Sequence, residues 1–193
     1  MGKIVVTTNV SLDGVVQDPD GAEGTARGGW FDTAMGEDRA PWYELITDEA
    51  LKADALLLGR RSATWFGSRW AERSGVLADR LNAMPKHVVS STTTKAGWAG
   101  ATVLGGDVVT DVTTLKERVD GEILVYASYR LVRTLLAHDL VDALRLFVLP
   151  VVVGQGERLF DGALDQAALH LTESTRVGAG VVQLEYEVLS RVS

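Results

Sequence analysis

Three short apolar runs in this sequence are each followed by small, hydroxyl or guanidinium side chains. The groups after these runs are Gly59-Arg60-Arg61-Ser62, Ser90-Ser91-Thr92 and Ala127-Ser128-Tyr129-Arg130. Backbone amides and hydroxyls hydrogen-bond phosphate oxygens, and the arginine fork binds two of them at once. Because ligands of α/β sheets bind beyond the carboxyl ends of the strands, three such ends together indicate a site for a phosphate-bearing ligand.

Each of these groups, taken alone, also has a purely structural interpretation. The first is a strand-to-helix turn with solvated arginines, and the second is an ordinary polar turn. In the third, Ser128 is a candidate helix N-cap. Only the recurrence of the pattern after three successive runs favours a ligand over three turns.

Metal and thiol chemistry finds little support in the composition. The sequence has no cysteine, which removes disulfides, thiolate catalysis and cysteine-based zinc sites. Its three histidines, His87, His138 and His170, lie far apart and lack a metal-ligand spacing. We therefore expect no metal site, and we assign no catalytic residue.

The first quarter of the chain supplies candidates for a substrate pocket. Trp30 follows a glycine pair in an acidic loop, so we expect its indole to lie over a ligand. Asp13 belongs to an Asp-Gly turn, and stabilising that turn is the competing explanation for it. The predicted pocket residues are Asp13, Trp30, Asp38 and Trp42.

The net charge is unevenly distributed. The 193 residues carry 19 Lys and Arg against 26 Asp and Glu, a net charge of −7. Residues 1–54 hold 4 basic and 11 acidic side chains, whereas residues 55–193 hold 15 of each. Residues 55–80 hold five arginines and two acids. The sequence offers no continuous basic face for a nucleic acid, but it allows a small anion held by local arginines.

Several features bear on location and partners. No apolar run approaches the ~20 residues that cross a bilayer, and the first ten residues turn polar too soon for a signal peptide. We expect a cytoplasmic protein that binds a small molecule, without membrane or nucleic-acid partners.

Strand-like runs alternate with helical stretches along the chain. Strands are predicted at residues 3–10, 55–58, 86–91, 122–127, 144–153 and 182–188, and helices at residues 41–54, 77–84 and 129–139. This alternation is typical of an α/β domain with a mainly parallel sheet and helices on both faces. The last run alternates apolar and polar residues, which indicates an antiparallel strand near an edge. We expect one domain over residues 1–193.

The motifs, in this order, resemble the reductase domain of riboflavin biosynthesis proteins, a dihydrofolate-reductase-like family. Residues 11–14 resemble its opening, and residues 56–62 resemble the Gly-Arg-x-Thr cofactor motif of dihydrofolate reductases. Residues 85–91 fit the next cofactor strand, and residues 140–143 with 150–160 fit the C-terminal block. The resemblance covers almost the whole chain and implies a three-layer sandwich.

The resemblance also implies a reductase that uses NADPH to reduce a small pterin- or pyrimidine-like heterocycle. On that pattern Arg60 faces the 2′-phosphate of the adenosine ribose, and Arg61 and Ser62 meet the pyrophosphate. The other implied cofactor-binding residues are Thr8, Asn9 and Val16 near the nicotinamide, Gly59 in the Arg60 motif, Ser90, Ser91 and Thr92 on the adenosine side, and Ala127, Ser128, Tyr129 and Arg130 beside the phosphates. A homodimer is implied as well, with residues 144–153 as a candidate interface strand.

Two departures from the family pattern keep other functions open. Ala127-Ser128 stands where the family has two glycines or Gly-Ser, and glycine there allows close backbone approach. Arg39 stands where dihydrofolate reductases have a pterin-binding carboxylate, three residues before a Trp-Phe pair that Trp42-Tyr43 resembles. A true dihydrofolate reductase is therefore disfavoured. The alternatives are a non-catalytic nucleotide-binding protein that retains the fold and a flavin- or deazaflavin-binding relative.

Overall fold

The computed structural model describes residues 1–160 and 166–189. Its strands are β1 Lys3–Ser11, β2 Ala55–Gly59, β3 Lys86–Val89, β4 Ala101–Leu104, β5 Glu122–Tyr126, β6 Ala143–Leu149, β7 Leu169–Val177 and β8 Val181–Val188. Its helices are α1 Trp30–Met35, α2 Arg39–Lys52, α3 Arg60–Trp70, α4 Val76–Ala83, α5 Val108–Arg118 and α6 Tyr129–Ala137. None of these helices is both long and apolar enough to cross a membrane.

The strands form a single mixed sheet in the order β4-β3-β2-β5-β1-β6-β8-β7. The pairings from β4 to β6 are all parallel, and β8 pairs antiparallel with both β6 and β7. The central strands are almost continuously apolar, as β2 shows with Ala55 and the three leucines after it all buried. Such strands need helices on both faces, because each face presents apolar side chains.

Helices cover the sheet on both sides. Helices α1 to α4 pack on one face, against strand residues that include Leu56, Leu124 and Phe147. Helices α5 and α6 pack on the other face, where Leu135 meets strand residues such as Ile123. This arrangement confirms the predicted mainly parallel sandwich with antiparallel C-terminal strands.

Most predicted elements are present with shifted ends. Helix α2 begins two residues before Pro41, which is tolerated because the first four amides of a helix need no partner. Its buried face consists of Ile46, Glu49 and Ala50, whereas Leu51 is half exposed. Helices α1 and α5 and strands β4 and β7 were not predicted. β7 is exposed along most of its length, and α5 is rich in β-branched residues, so neither has a clear apolar pattern.

The run at residues 144–153 is a core strand for most of its length. β6 lies between β1 and β8, and its residues Leu144 and Phe147 are buried. The chain leaves the sheet at Pro150, and Val152 beyond it is exposed. Because both edges of β6 are already paired within the chain, β6 offers no free edge to a partner's strand, and the interface role of residues 144–153 stays a prediction.

Asp38 lies at the end of a 3-10 turn, Gly36–Asp38, between α1 and α2. Its carboxylate accepts hydrogen bonds from the amides of Ala179 and Gly180, each 2.7 Å long, and of Val181, 3.2 Å long. These backbone donors lower the pKa of Asp38 below its usual value. The structure thus places Asp38 under the turn between β7 and β8, which corrects the prediction that it belongs to a substrate pocket.

The turn held by Asp38 requires glycine at position 178. Gly178 has φ +65°, and a Cβ built there lies 2.1 Å from Asp38 Oδ1. We expect Gly178→Ala to lower the free energy of unfolding by roughly 2–5 kcal/mol, because backbone strain adds to the clash. Gly100→Ala is the matched control, since Gly100 has φ +74° with nothing within 4 Å of a built Cβ, and it should cost only ~1–2 kcal/mol. Urea unfolding measures both losses, and equal losses would contradict the contact.

Candidate functional site

A cavity of about 1080 Å³ lies at the carboxyl ends of β1, β2 and β5, beside the first turns of α3 and α6. The strand-end residues Thr8, Gly59 and Tyr126 form part of its lining. In open α/β sheets this is the position where ligands bind. The volume suits a ligand the size of a nucleotide with a second small molecule.

Ser128 joins two of the loops that border the cavity. Its hydroxyl accepts a hydrogen bond from the Gly59 amide, and its own amide donates to the Ser62 hydroxyl, each 3.1 Å long. β2 and β5 pair through Leu56 and Leu124 but not beyond them. The two hydrogen bonds therefore span the gap that opens where the strands separate, and they set the distance between α3 and α6.

The backbone at this strand end is strained. Ala127 and Ser128 have φ values of 50° and 54°, the left-handed region that favours glycine. The Ser128 hydroxyl makes no capping bond to α6, so the predicted N-cap role is wrong and the hydroxyl bonds Gly59 instead. The pair thus keeps the backbone conformation that glycine adopts easily, despite the two Cβ atoms.

The starts of α3 and α6 are suited to an anion. Neither helix has a side-chain cap, and neither has an acidic residue in its first turn. First-turn amides without a partner, together with the helix dipole, favour negative charge. Arg60, Arg61 and Arg130 are exposed at these starts and line the cavity. This end of the cavity, formed by the first turns of α3 and α6 with these three arginines, is therefore positively charged, and we call it the cationic cradle.

Aromatic side chains form another part of the wall. The rings of Phe31 and Trp42 meet edge to face with centroids 5.1 Å apart, and Phe147 lies 6.4 Å from Trp42 in the same geometry. The Trp42 indole donates a 3.0 Å hydrogen bond to the side-chain oxygen of Asn9. Asn9 thereby fixes the tryptophan, and the wall offers a flat apolar surface to a planar ring.

Residues 17–25 form the side of the cavity nearest to the β1 end. Asp18 is buried there, and its carboxylate accepts hydrogen bonds from the amides of Glu23 and Thr25 and from the Thr25 hydroxyl. Although burial opposes it, these donors lower the pKa of Asp18. The loop is folded around its own carboxylate.

Asp20 fastens the same loop to α3. Its carboxylate accepts a 2.7 Å hydrogen bond from the Trp65 indole and a 3.1 Å bond from Arg69. The Arg69 guanidinium in turn lies 4.4 Å from the centre of the Trp65 ring. The acidic loop and the basic helix are thus joined across the cavity.

A buried carboxyl lies behind the cavity wall. Glu49 Oε2 accepts a 2.9 Å hydrogen bond from the Thr7 hydroxyl, and Thr7 and Tyr126 both line the cavity. Burial raises the pKa of Glu49 to about 7, although the Tyr126 and Thr7 hydroxyls and the Arg145 charge oppose the rise. Burial and the adjacent Glu49 raise the pKa of Tyr126 as well. A carboxyl that titrates near neutral pH therefore adjoins the site.

Most residues predicted to bind the cofactor lie around this cavity. The eleven that line it are Thr8, Asn9, Val16, Gly59, Arg60, Arg61, Ser62, Ala127, Ser128, Tyr129 and Arg130. Ser90, Ser91 and Thr92 do not line it, and Val89 is the residue that β3 contributes. The geometry brings the eleven together, while the binding role of each residue stays a prediction.

Asp13 has a structural role. Its carboxylate accepts hydrogen bonds from the Ser11 hydroxyl at 2.7 Å and from the amides of Val153 at 3.0 Å and Gly154 at 2.8 Å. The Ser11 and Val153 donors in particular lower the pKa of Asp13 to about 2. Asp13 fastens the loop after β6 to the end of β1 and is not part of the cavity lining.

Of the four predicted substrate-pocket residues, only Trp42 lines the cavity. Trp30 is buried in the core beneath residues 17–25, and its indole donates to the carbonyl of Gln17 at 2.9 Å. Its neighbour Phe31 occupies the wall instead. Successive helical residues point about 100° apart, so a shift of one position exchanges the two rings.

Sequence reasoning missed several lining residues. Tyr126, in a predicted strand, lines the cavity, and Glu49, an acid at helical spacing from Ile46 on a buried face, lies behind its wall. Both signals were present in the sequence. Trp65 and Phe66 in α3 carried no signal of their own, because only the packing of α3 turns them toward the cavity.

The sheet order and the strand-end cavity define a dihydrofolate-reductase-like fold. Dihydrofolate reductase from Enterococcus faecalis, complexed with NADP(H) and RAB-propyl, superposes with a TM-score of 0.58 at 13% identity, over 98% of each chain. The model of the RibD C-terminal domain family matches residues 2–183, and the chain belongs to that family.

Two further solved structures share the fold. A protein from Shewanella sp. PV-4, whose name associates it with riboflavin biosynthesis, matches with a TM-score of 0.76 and 19% identity over 97% of this chain and 99% of its own. A diaminohydroxyphosphoribosylaminopyrimidine deaminase and 5-amino-6-(5-phosphoribosylamino)uracil reductase from Thermotoga maritima matches with a TM-score of 0.63 and 15% identity, over 97% of this chain and 57% of its own.

The bridge made by Ser128 predicts a stability effect. We expect Ser128→Ala to lower the free energy of unfolding by about 1–2 kcal/mol, because the Gly59 amide loses its partner. Ser68→Ala in the exposed face of α3 is the control and should change it by less than about 0.5 kcal/mol. Urea unfolding measures both, and an unchanged Ser128→Ala protein would show that the bridge contributes nothing.

The strained backbone predicts the opposite effect at the neighbouring position. Ala127→Gly removes the strain of a left-handed alanine, which raises the free energy of unfolding by ~1–2 kcal/mol. Glycine also makes the unfolded chain more flexible, which lowers the free energy of unfolding by about 0.4–1 kcal/mol. The free energy of unfolding should therefore stay level or rise by up to about 1 kcal/mol. Ala83→Gly at the exposed end of α4 is the control and should lower it. Thermal and urea unfolding compare the two, and a loss at position 127 would refute the strain.

Proposed function

We propose that this protein is an NADPH-dependent reductase of a small pyrimidine- or pterin-like heterocycle. One observation carries the proposal. The hydrogen bonds of Ser128 bring the first turns of α3 and α6 to one cavity. Neither first turn contains an acidic residue, and Arg60, Arg61 and Arg130 lie there. Membership of the RibD C-terminal domain family supports a reductase.

The chain's residues fit a phosphorylated dinucleotide. The first-turn amides of α3 and α6 and the Ser62 hydroxyl suit the pyrophosphate, and Arg60 and Arg61 suit the dianionic 2′-phosphate. Thr8, Asn9 and Val16, at the other end of the lining, suit the nicotinamide. When bound, NADPH supplies the hydride.

The remainder of the cavity suits the substrate. The Phe31 and Trp42 rings offer a planar heterocycle an apolar face, and Asn9 holds Trp42 in position. Residues 17–25, fastened to α3 by Asp20, form the adjoining part of the lining. The chain thus supplies surfaces that orient the two reactants.

One position argues against a dihydrofolate reductase. Arg39 occupies the position where the resemblance places a pterin-binding carboxylate, and its guanidinium pairs with Asp32 at the surface. A pterin therefore has no carboxylate partner there. The Thermotoga maritima reductase is named for a uracil derivative, so we favour a pyrimidine-like substrate.

Cofactor binding tests the cationic cradle. We expect Arg60→Ala to weaken NADPH binding by about 10–100-fold, since a charged hydrogen bond contributes ~1.5–3 kcal/mol. NADH lacks the 2′-phosphate, so its affinity should change little. Arg73→Ala, which removes the same charge outside the cavity lining, is the matched control. Calorimetric titration of the three proteins with both nucleotides measures the effect. Equal affinity of the wild-type protein for NADPH and NADH would refute the Arg60 assignment.

Turnover tests the reductase itself. The probes are 5-amino-6-(5-phosphoribosylamino)uracil, dihydrofolate and a simple quinone, with NADPH oxidation followed by absorbance. Reduction of the uracil derivative or another pyrimidine is the expected result. NADPH binding without turnover of any probe would favour a nucleotide-binding protein that has lost catalysis, and a yellow purified protein would favour a flavin-binding relative.

A further inference from the structure

The proposed function leaves the buried carboxyl of Glu49 without a role. Glu49 is 6% exposed and Thr7 is 3% exposed, and the hydrogen bond between them is 2.9 Å long. Within the described residues, the second carboxyl oxygen, Oε1, has no hydrogen-bond partner. A buried polar atom without a partner is costly, which calls for an explanation.

Thr7 connects this carboxyl to the cavity. Its side chain bonds Glu49 and the residue also lines the cavity, at the carboxyl-end half of β1. A hydroxyl has one donor and two acceptor positions, so it is able to accept a proton on one side while donating on the other. Thr7 Oγ1 therefore forms a one-atom link between Glu49 and the residues that line the cavity.

Burial, rather than the charges around it, favours a bound proton on Glu49. The Arg145 guanidinium forms two 2.9 Å hydrogen bonds to Glu122 and a 3.2 Å ion pair to Glu185. Its nearest nitrogen is 3.7 Å from Glu49 Oε2, too far for a hydrogen bond. One guanidinium thus faces three carboxyl groups, of which Glu122 and Glu185 already neutralise it.

An ion pair with Arg145, at 3.7 Å, leaves the Oε1 atom of Glu49 without a partner among the described residues. The other groups facing Glu49 are the Thr7 and Tyr126 hydroxyls and the more distant Glu122 carboxylate. The pKa of about 7 at Glu49, raised by burial, means that the carboxyl gains and loses a proton at neutral pH.

We infer that Glu49, acting through the Thr7 hydroxyl, supplies the proton for reduction of the substrate in this cavity. The inference rests on the proposed function. Reduction of a C=N or C=O bond needs one hydride, from the reduced nicotinamide, and one proton. As the hydride bonds to carbon, the π electrons move to the heteroatom, which takes the Thr7 hydroxyl proton. Thr7 Oγ1 takes the Glu49 proton, leaving a carboxylate that is reprotonated after product leaves.

The experiment combines a spectrum with a pH profile. In the wild-type protein, infrared difference spectra should show a protonated carboxyl band that disappears as the pH rises through about 7. Glu49→Gln should lack this band, and Glu44→Gln, which removes an exposed acid of the same helix, should keep it. The band is measured without cofactor or substrate.

The rate is then measured with NADPH and the uracil probe. In the wild-type protein kcat should fall as the pH rises through about 7, because only the protonated carboxyl donates. Glu49→Gln should lower kcat about 100-fold and abolish this pH dependence, with NADPH affinity unchanged. Thr7→Val should behave likewise, and Thr7→Ser should restore both kcat and the profile.

The outcomes separate this inference from the proposed function. A wild-type protein that neither binds NADPH nor reduces the probe overturns the proposed function, and the inference with it. A wild-type protein that reduces the probe, while Glu49→Gln keeps its kcat and its pH profile, overturns only the role of Glu49. The absence of a titrating carboxyl band that depends on Glu49 overturns that role as well.

Discussion

The hydrogen bonds made by Ser128 lie where β2 and β5 stop pairing and the sheet begins to open. Where the two strands separate, a ligand has space between the first turns of α3 and α6. The strands no longer pair there, so they do not fix the distance between these two helices. Ser128 sets that distance by bonding Gly59 and Ser62 at once. The left-handed backbone at Ala127 and Ser128 places the serine where it reaches both partners, so local strain and the shape of the cavity have the same origin.

The acidity of the first quarter of the chain serves the fold more than the ligand. Asp13 joins two loops, Asp18 folds residues 17–25, Asp20 ties that loop to α3, and Asp38 holds the β7–β8 turn. Each carboxylate accepts hydrogen bonds from amides or side chains that otherwise lack partners, which stabilises irregular segments that have no ladder or helix of their own. The cationic cradle of α3 and α6 is left without a nearby competing carboxylate in either first turn.

Glu49 differs from these acids in its surroundings. Hydroxyl and amide donors lower the pKa of the loop carboxylate Asp13, whereas Glu49 faces two hydroxyls and a guanidinium that two other carboxylates already neutralise. A carboxyl group is thus held charged at one place and near its titration point at another. Burial without backbone donors is what separates the two cases.

The amino-acid sequence by itself determined the fold class, the family resemblance and the strand-end groups of the cradle, because apolar periodicity and turn residues are local signals. Of the predicted pocket residues, Trp42 lies in the cavity lining, whereas Asp13, Trp30 and Asp38 do not. Only the tertiary structure decided which acids lie at the cavity and whether Trp30 or Phe31 lines its wall. It alone also decided that Ser128 bonds Gly59. The physical reason is that these features depend on contacts between segments tens of residues apart, such as Gly59 and Ser128, which are 69 positions apart. No local pattern encodes such a contact.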